Sequence, residues 1–414
     1  MVLKIAMLSV HSCPLGKLGE KDTGGMSVYI RELARELGRQ GHWVDVYTRI
    51  HGPIHDQIVE LGQNTRLIHL KAGGEEIQKL AIYDHLDDFA QDLENFRKHN
   101  GLQYDLIHSH YWLSGRVGKW VQQWWNIPHI TVFHTLGAVK NALGIDEDEP
   151  ELRINTEKEL VKECHRIIGS TEKEKENLIY YYDASPETIS VIPCGVNLDL
   201  FKPINKEIAR CHLGLNGETI ILFVGRMVPL KGIDKLLKAI TYLEKERKIE
   251  LLLIGGDEHS QKEIQRLKIL SKSLKIHESV IFLGLVKQEM LPFFYSAADL
   301  CVVPSYYESF GLVVLESLAC GTPVVATKVG GAESVIQHGK TGYVVRDNDS
   351  CRLADKIALL LSTSNGSTEF AGLVRASITK YSWSNITGAI IDEYRSVLRD
   401  FSAKAIKGTQ EARV

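Results

Sequence analysis

The feature that most constrains the fold is an alternation. A short, continuous apolar run gives way to a loop rich in glycine and polar residues, then to a stretch with helical spacing. Residues 4–10 are the first such run, and 28–40 follow with Val28, Ile30, Leu33, Ala34 and Leu37 at helical intervals. Runs at 43–47, 67–70, 106–108 and 129–133 repeat the theme. A second series begins near residue 219, with strands expected at 219–224, 250–254, 280–283, 300–303 and 323–326. Unbroken β-branched runs read as parallel strands buried on both faces. Alternating β and α elements predict a doubly wound parallel sheet, and two series predict two of them. Between the series, residues 191–203 hold Pro193, Gly195 and Pro203, the punctuation expected of a hinge.

A chain of 414 residues suits this plan, since domains run to roughly 150 residues. The reading is an α/β protein with a first domain at 1–200 and a second at 204–385. A C-terminal helix is expected at about 386–402, with its packing back on the first domain left open. The composition, 44% hydrophobic and 24% charged, excludes a disordered chain, a collagen-like repeat and a coiled coil. With 49 basic and 52 acidic residues, no nucleic-acid partner is expected. The seven cysteines are scattered without a CxxC or a Cys/His cluster, which argues against a disulfide framework or a zinc site and for a reducing, cytoplasmic setting. No window approaches the run of about 18 apolar residues that a membrane span needs. Peripheral membrane contact is left open.

Ligands of doubly wound sheets bind beyond the C-terminal ends of the strands, here facing a cleft between the domains. The loops there carry the candidate chemistry. Gly24-Gly25 precede the first helix, where backbone N–H groups could approach a phosphate, although paired glycines also make ordinary turns. No GxGxxG and no Walker lysine is present, so neither a nicotinamide fingerprint nor a P-loop is supported. In the second series, Arg226 and Lys231 flank a glycine-containing turn and could hold a diphosphate, one by its planar fork and one as a point charge. Glu308 and Glu316 lie eight residues apart around Ser309, Phe310 and Gly311, where a helix would begin and its N–H groups would be unpaired. Gly330-Gly331 add another glycine-rich loop. In the first domain, His108 and His110 alternate onto one strand face, and His134-Thr135 end the next strand.

Together these motifs resemble the retaining GT-B glycosyltransferases of family four. The likeness spans nearly the whole chain and rests on Gly24-Gly25, Gly225-Arg226…Lys231-Gly232, Glu308-Ser-Phe-Gly…Glu316 and Gly330-Gly331. The first domain is most similar to the enzymes that glycosylate inositol phosphate, through Asp105–Gly115 and His134–Asn141, and shares its plan with sucrose-phosphate synthases. The resemblance implies two Rossmann-like domains and a hexosyl transfer from a nucleotide diphosphate sugar, UDP-linked, to a small phosphorylated sugar or polyol. Inositol phosphate and fructose 6-phosphate are the examples. It implies that Arg226 and Lys231 neutralise the diphosphate and that Glu316 holds the ribose. Glu308, with the N–H groups of Phe310 and Gly311 beside Ser309, would bind the donor sugar. Gly25 would approach the diphosphate, and His134 would hydrogen-bond the donor sugar. It implies an acceptor-phosphate site of Lys79, Tyr111, Thr135 and Arg153. No metal site or cofactor is required, with stimulation by a divalent metal and a homodimer both allowed. One departure is Ser27, where the family pattern has Asn facing the acceptor ring. The rival readings are a lipid-linked or polysaccharide acceptor, and a non-catalytic sugar-nucleotide binding protein.

Overall fold

The structure is a computed structural model that describes residues 1–16, 23–50, 56–75, 77–145, 148–244, 247–363 and 367–411, with side chains to residue 404. The described residues fall into two compact units. Those of 1–16, 22–192 and 383–414 form the first, and those of 193–382 the second.

The first unit holds an eight-stranded sheet. Its strands are β1 (Lys4–Leu8), β2 (Trp43–Arg49), β3 (Ile58–Gly62), β4 (Thr65–Leu70), β5 (Leu106–His110), β6 (His129–Val132), β7 (Arg166–Gly169) and β8 (Ile189–Val191), in the order β3-β4-β2-β1-β5-β6-β7-β8. All neighbours pair parallel except β3 with β4. β1 is flanked by β2 on one side and β5 on the other, so the winding reverses there. The helix Gly25–Arg39 buries Val28, Tyr29, Ile30, Leu33, Ala34 and Leu37, the i, i+3, i+4 stripe expected of a helix facing a sheet. The long helix Trp383–Glu411 belongs to this unit. Tyr394 on it meets His108 of β5, and Glu393 pairs with Arg166 of β7 at 3.1 Å.

The second unit has six parallel strands. They are β9 (Thr219–Val224), β10 (Ile249–Ile254), β11 (Val280–Gly284), β12 (Leu300–Val303), β13 (Val324–Thr327) and β14 (Gly342–Val345), in the order β11-β10-β9-β12-β13-β14. Here the reversal lies at β9, between β10 and β12. Ile233, Leu236, Leu237 and Ile240 from the helix Ile233–Leu243 pack into a core with Leu251, Leu253, Val302 and Val325.

Residues 193–200, expected with the first domain, cluster with the second instead. Arg375 explains this: its guanidinium donates to the carbonyls of Leu198 at 2.8 Å and Phe201 at 2.6 Å, and Val196 N–H bonds the carbonyl of Tyr381 at 2.8 Å. Among the described residues, no helix is long and apolar enough to cross a membrane.

Candidate active site

In the first unit, two turns at the ends of adjacent strands carry bulky residues in the left-handed region. β5 ends at His110 and the chain enters the helix Tyr111–Trp125 at once, with Tyr111 at φ 75°. Two residues past β6, His134 stands at φ 60°. Asn, Asp and His enter this region most readily, so the tyrosine there marks a conformation that its surroundings must hold, at a cost of about 1–3 kcal/mol. The surroundings are specific. The Tyr111 ring lies 4.4 Å from that of His11, with the Arg153 guanidinium 4.8 Å and the Lys79 ammonium 5.8 Å from its centre. His134 Nε2 lies 3.0 Å from His110 Nδ1, and the edge of Tyr29 meets its ring at 5.2 Å.

Arg153, on the helix Glu151–Glu163, is 1% exposed. Its Nε donates to Glu157 at 2.7 Å, one terminal nitrogen reaches Glu149 at 2.9 Å, and the other donates to the Thr135 carbonyl at 2.8 Å and hydroxyl at 3.0 Å. Glu157 in turn accepts the Gly137 N–H and the Tyr182 hydroxyl. The structure therefore brings Lys79, Tyr111, Thr135 and Arg153 to one place. It also matches the Arg153 charge internally with two carboxylates. Their spacing of four on either side of Arg153 was visible in the sequence and went unread.

Burial holds four histidines of this region neutral. Burial pushes His108, His129 and His134 down to about 3, and His110 well below its usual range. His134 thus offers a neutral ring to a ligand, suited to hydrogen bonding rather than to supplying a proton. Gly24 and Gly25 open the helix Gly25–Arg39, whose N-terminus carries no side-chain cap. Ser27 is fully buried, with its hydroxyl 2.6 Å from that of Ser12. The loop after β1 therefore already engages the side chain at the position where the resemblance expected a ring-facing Asn.

In the second unit the loops after β9 and β12 close on each other across the winding reversal. Gly232 has φ 65°, and a Cβ there would lie 2.1 Å from the Pro304 carbonyl oxygen, so only glycine permits the approach. Lys231 precedes it on a short turn and meets Glu308 at 2.5 Å. Ser305 Oγ donates to the same carboxylate oxygen at 2.7 Å. Lys231 and Glu308 keep 17% and 15% of their side chains exposed. Gly331 N–H bonds the Phe310 carbonyl at 2.7 Å, and a Cβ on Gly331 would strike the Phe310 ring at 2.6 Å. Gly311, at φ 93°, begins the helix Leu312–Ala319 beside Ser309. Glu316 lies in its second turn, buried, and accepts the Tyr295 hydroxyl at 2.8 Å. Arg226 stands exposed beyond the end of β9. Ser305 and Tyr295 were missed from sequence because nothing in their local pattern separates them from ordinary loop and core residues.

Residues 23–200 match the model of Glycosyltransferase Family 4, and residues 205–371 match that of Glycosyl transferases group 1. The D-inositol 3-phosphate glycosyltransferase of Corynebacterium diphtheriae is 40% identical over 371 residues, 87% of each chain. This chain belongs to glycosyltransferase family 4. A second family member, D-inositol 3-phosphate glycosyltransferase 2 of Catenulispora acidiphila, is 38% identical over 97% of this chain and 96% of its own. Among solved structures, sucrose-phosphate synthase from Thermosynechococcus elongatus superposes with a TM-score of 0.88 at 32% identity, over 96% of this chain and all of the other. The fold is GT-B, with two Rossmann-like domains, and the protein is a glycosyltransferase.

Proposed function

We propose that this glycosyltransferase retains anomeric configuration and moves a hexosyl group from a nucleotide diphosphate sugar, UDP-linked, to a small phosphorylated polyol or sugar. Inositol phosphate is the leading candidate and fructose 6-phosphate the next. The observation that carries this reading is the convergence of Lys79, Tyr111, Thr135 and Arg153 at the ends of β5 and β6. Lys79 and the hydroxyls of Tyr111 and Thr135 suit the oxygens of a phosphate monoester, and Arg153, paired with Glu149 and Glu157, joins them by exchanging the partly exposed Glu149 for the phosphate. The relatives above are named for phosphorylated compounds, which supports the same choice.

On the donor side, Lys231 exchanges Glu308 for the leaving diphosphate, with Arg226 as the second cation. Glu308, released from Lys231, accepts sugar hydroxyls, assisted by the N–H groups of Phe310 and Gly311 beside Ser309. Glu316 takes the ribose, and the N–H of Gly25 meets the diphosphate. Charge that develops on the diphosphate then meets fixed cations, which is where an enzyme of this kind lowers its barrier. A neutral His134 hydrogen-bonds the donor sugar. The leaving diphosphate, rather than a side chain, receives the acceptor proton on the same face. This reading needs no cofactor.

The test is transfer followed by mass spectrometry. UDP-, GDP- and ADP-sugars are crossed with inositol phosphate, fructose 6-phosphate, glucose 6-phosphate and their unphosphorylated forms. The expected result is a product from a UDP-sugar and a phosphorylated acceptor only. Equal transfer to the unphosphorylated forms removes the acceptor-phosphate site. UDP release with no small product moves the acceptor to a lipid-linked or polymeric class. Lys231→Ala is expected to lose about 100-fold or more in kcat with the fold intact. Near-normal turnover by this variant would reject the diphosphate role.

A further inference from the structure

β5 and β6 run parallel with His110 opposite Val132, and His134 follows two residues later. The 3.0 Å approach of His110 Nδ1 to His134 Nε2 joins two neutral rings, so one nitrogen carries the proton and the other accepts it. The other nitrogen of His110 decides which. His110 is fully buried, and its Nε2 has no hydrogen-bond partner among the described residues. The rings of His108 and Tyr29 pack against that of His110 at 4.4 and 5.7 Å between centres. If His134 were the donor, His110 would carry its proton on Nε2, a buried N–H with no acceptor among the described residues. If His110 is the donor, only a lone pair is left there, and orphaned buried donors are the rarer defect.

We propose that His110 is a positioning residue for the transfer reaction: its Nδ1–H fixes His134 as the Nδ1–H tautomer, so that His134 presents a hydrogen-bond donor to an oxygen of the donor sugar. The proposal rests on the reading of His134 as a contact to the donor sugar. It adds what kind of atom His134 can meet, an acceptor oxygen, and which residue makes it so.

The experiment uses the full chain labelled with ¹⁵N-histidine. A long-range ¹H–¹⁵N correlation spectrum reports which ring nitrogen is protonated, and His134 is assigned by the signals lost in His134→Gln. A proton on Nδ1 of His134 is expected; a proton on Nε2 overturns the proposal without reference to activity. The kinetic arm compares two substitutions. His110→Asn places an amide N–H where Nδ1 stood, whereas His110→Val removes the donor. Valine is expected to lower kcat about tenfold, the worth of one hydrogen bond, while both KM values move less than about threefold. Asparagine is expected to recover most of that loss. Equal losses in two folded variants overturn the proposal, because only shape would then matter. Undiminished transfer by His134→Gln overturns the sugar-contact reading instead, and the tautomer spectrum keeps the two failures apart.

Discussion

Arg153 lies between Glu149 and Glu157 at spacings of four and is 1% exposed. Removing it strands carboxylates that the fold has already desolvated, and breaking a buried pair in this way costs about 3–5 kcal/mol. Arg153→Ala is therefore expected to lower the melting temperature along with any effect on acceptor binding. Lys79 is the cleaner probe, because it is partly exposed at the start of a short turn. Lys79→Ala is expected to raise the acceptor KM about tenfold or more and leave the donor KM and Tm unchanged, the pattern of a lost charge-assisted contact. Steady-state kinetics with each substrate varied in turn would check this, and a parallel rise in both KM values would remove Lys79 from the acceptor site. Residue types and motif spacing were enough to name these side chains. The carboxylates that neutralise Arg153 lie at readable spacings of four, but the hydrogen bonds that fix the cluster were not legible, because Thr135 and Tyr182 approach from elsewhere in the chain.

At the scale of elements, Gly331 sets where the loop carrying Glu308 lies. Its Cβ would meet three Phe310 ring atoms at 2.6, 2.8 and 2.9 Å, and Phe310 is only 3% exposed. Forcing in one methyl costs about 1–3 kcal/mol, met by moving the loop or the ring. Gly331→Ala is expected to raise the donor KM several-fold and leave the acceptor KM alone. Gly372 is the contrast. It is exposed inside the helix Thr368–Ala376, and a Cβ there meets nothing within 4 Å. Gly372→Ala is expected to stabilise the protein by about 0.5–1 kcal/mol with unchanged kinetics. Steady-state kinetics together with chemical denaturation separate the two: a donor KM unchanged in Gly331→Ala would mean that the loop tolerates the methyl. The strands themselves were unequally legible. β1, β2, β4, β5, β6 and β9 to β13 are apolar runs that announce themselves. β3, β7, β8 and β14 were missed; β3, β8 and β14 are set at sheet edges. β3 is an antiparallel edge with one buried residue in five, and β8 has only three residues, so neighbours supply most of what defines them.

For the whole molecule, the histidines of the first unit make its stability depend on pH. His108, His110 and His129 are fully buried, and burial holds their folded pKa values far below the unfolded value of about 6.5. Below that value the unfolded chain binds more protons than the folded one. The stabilisation is therefore present above about pH 6.5 and lost as pH falls towards 3, by up to about 1.4 kcal/mol per pH unit for each histidine. Glu174, raised by its own burial, acts in the opposite sense nearer its usual carboxylate range. All six tryptophans, Trp43, Trp112, Trp120, Trp124, Trp125 and Trp383, belong to the first unit. Unfolding followed by tryptophan fluorescence therefore reports that unit. Its midpoint is expected to fall between about pH 7.5 and 5.5, further than that of a probe that averages both units. An unchanged fluorescence midpoint would show that these histidines charge without unfolding.

The sequence by itself determined the two Rossmann-like sheets and the strand ends that bear chemistry, because buried parallel strands must be apolar on both faces and their ligands must sit on loops. It also determined the family, through motifs whose glycines, cations and carboxylates are local. The tertiary structure alone decided which of those groups are already spoken for. Lys231 faces Glu308, Arg153 faces Thr135, and His110 faces His134. Each of these pairings joins separate elements, and a charge or a ring proton is assigned by whatever polar atom lies about 3 Å away, a distance that chain order does not encode.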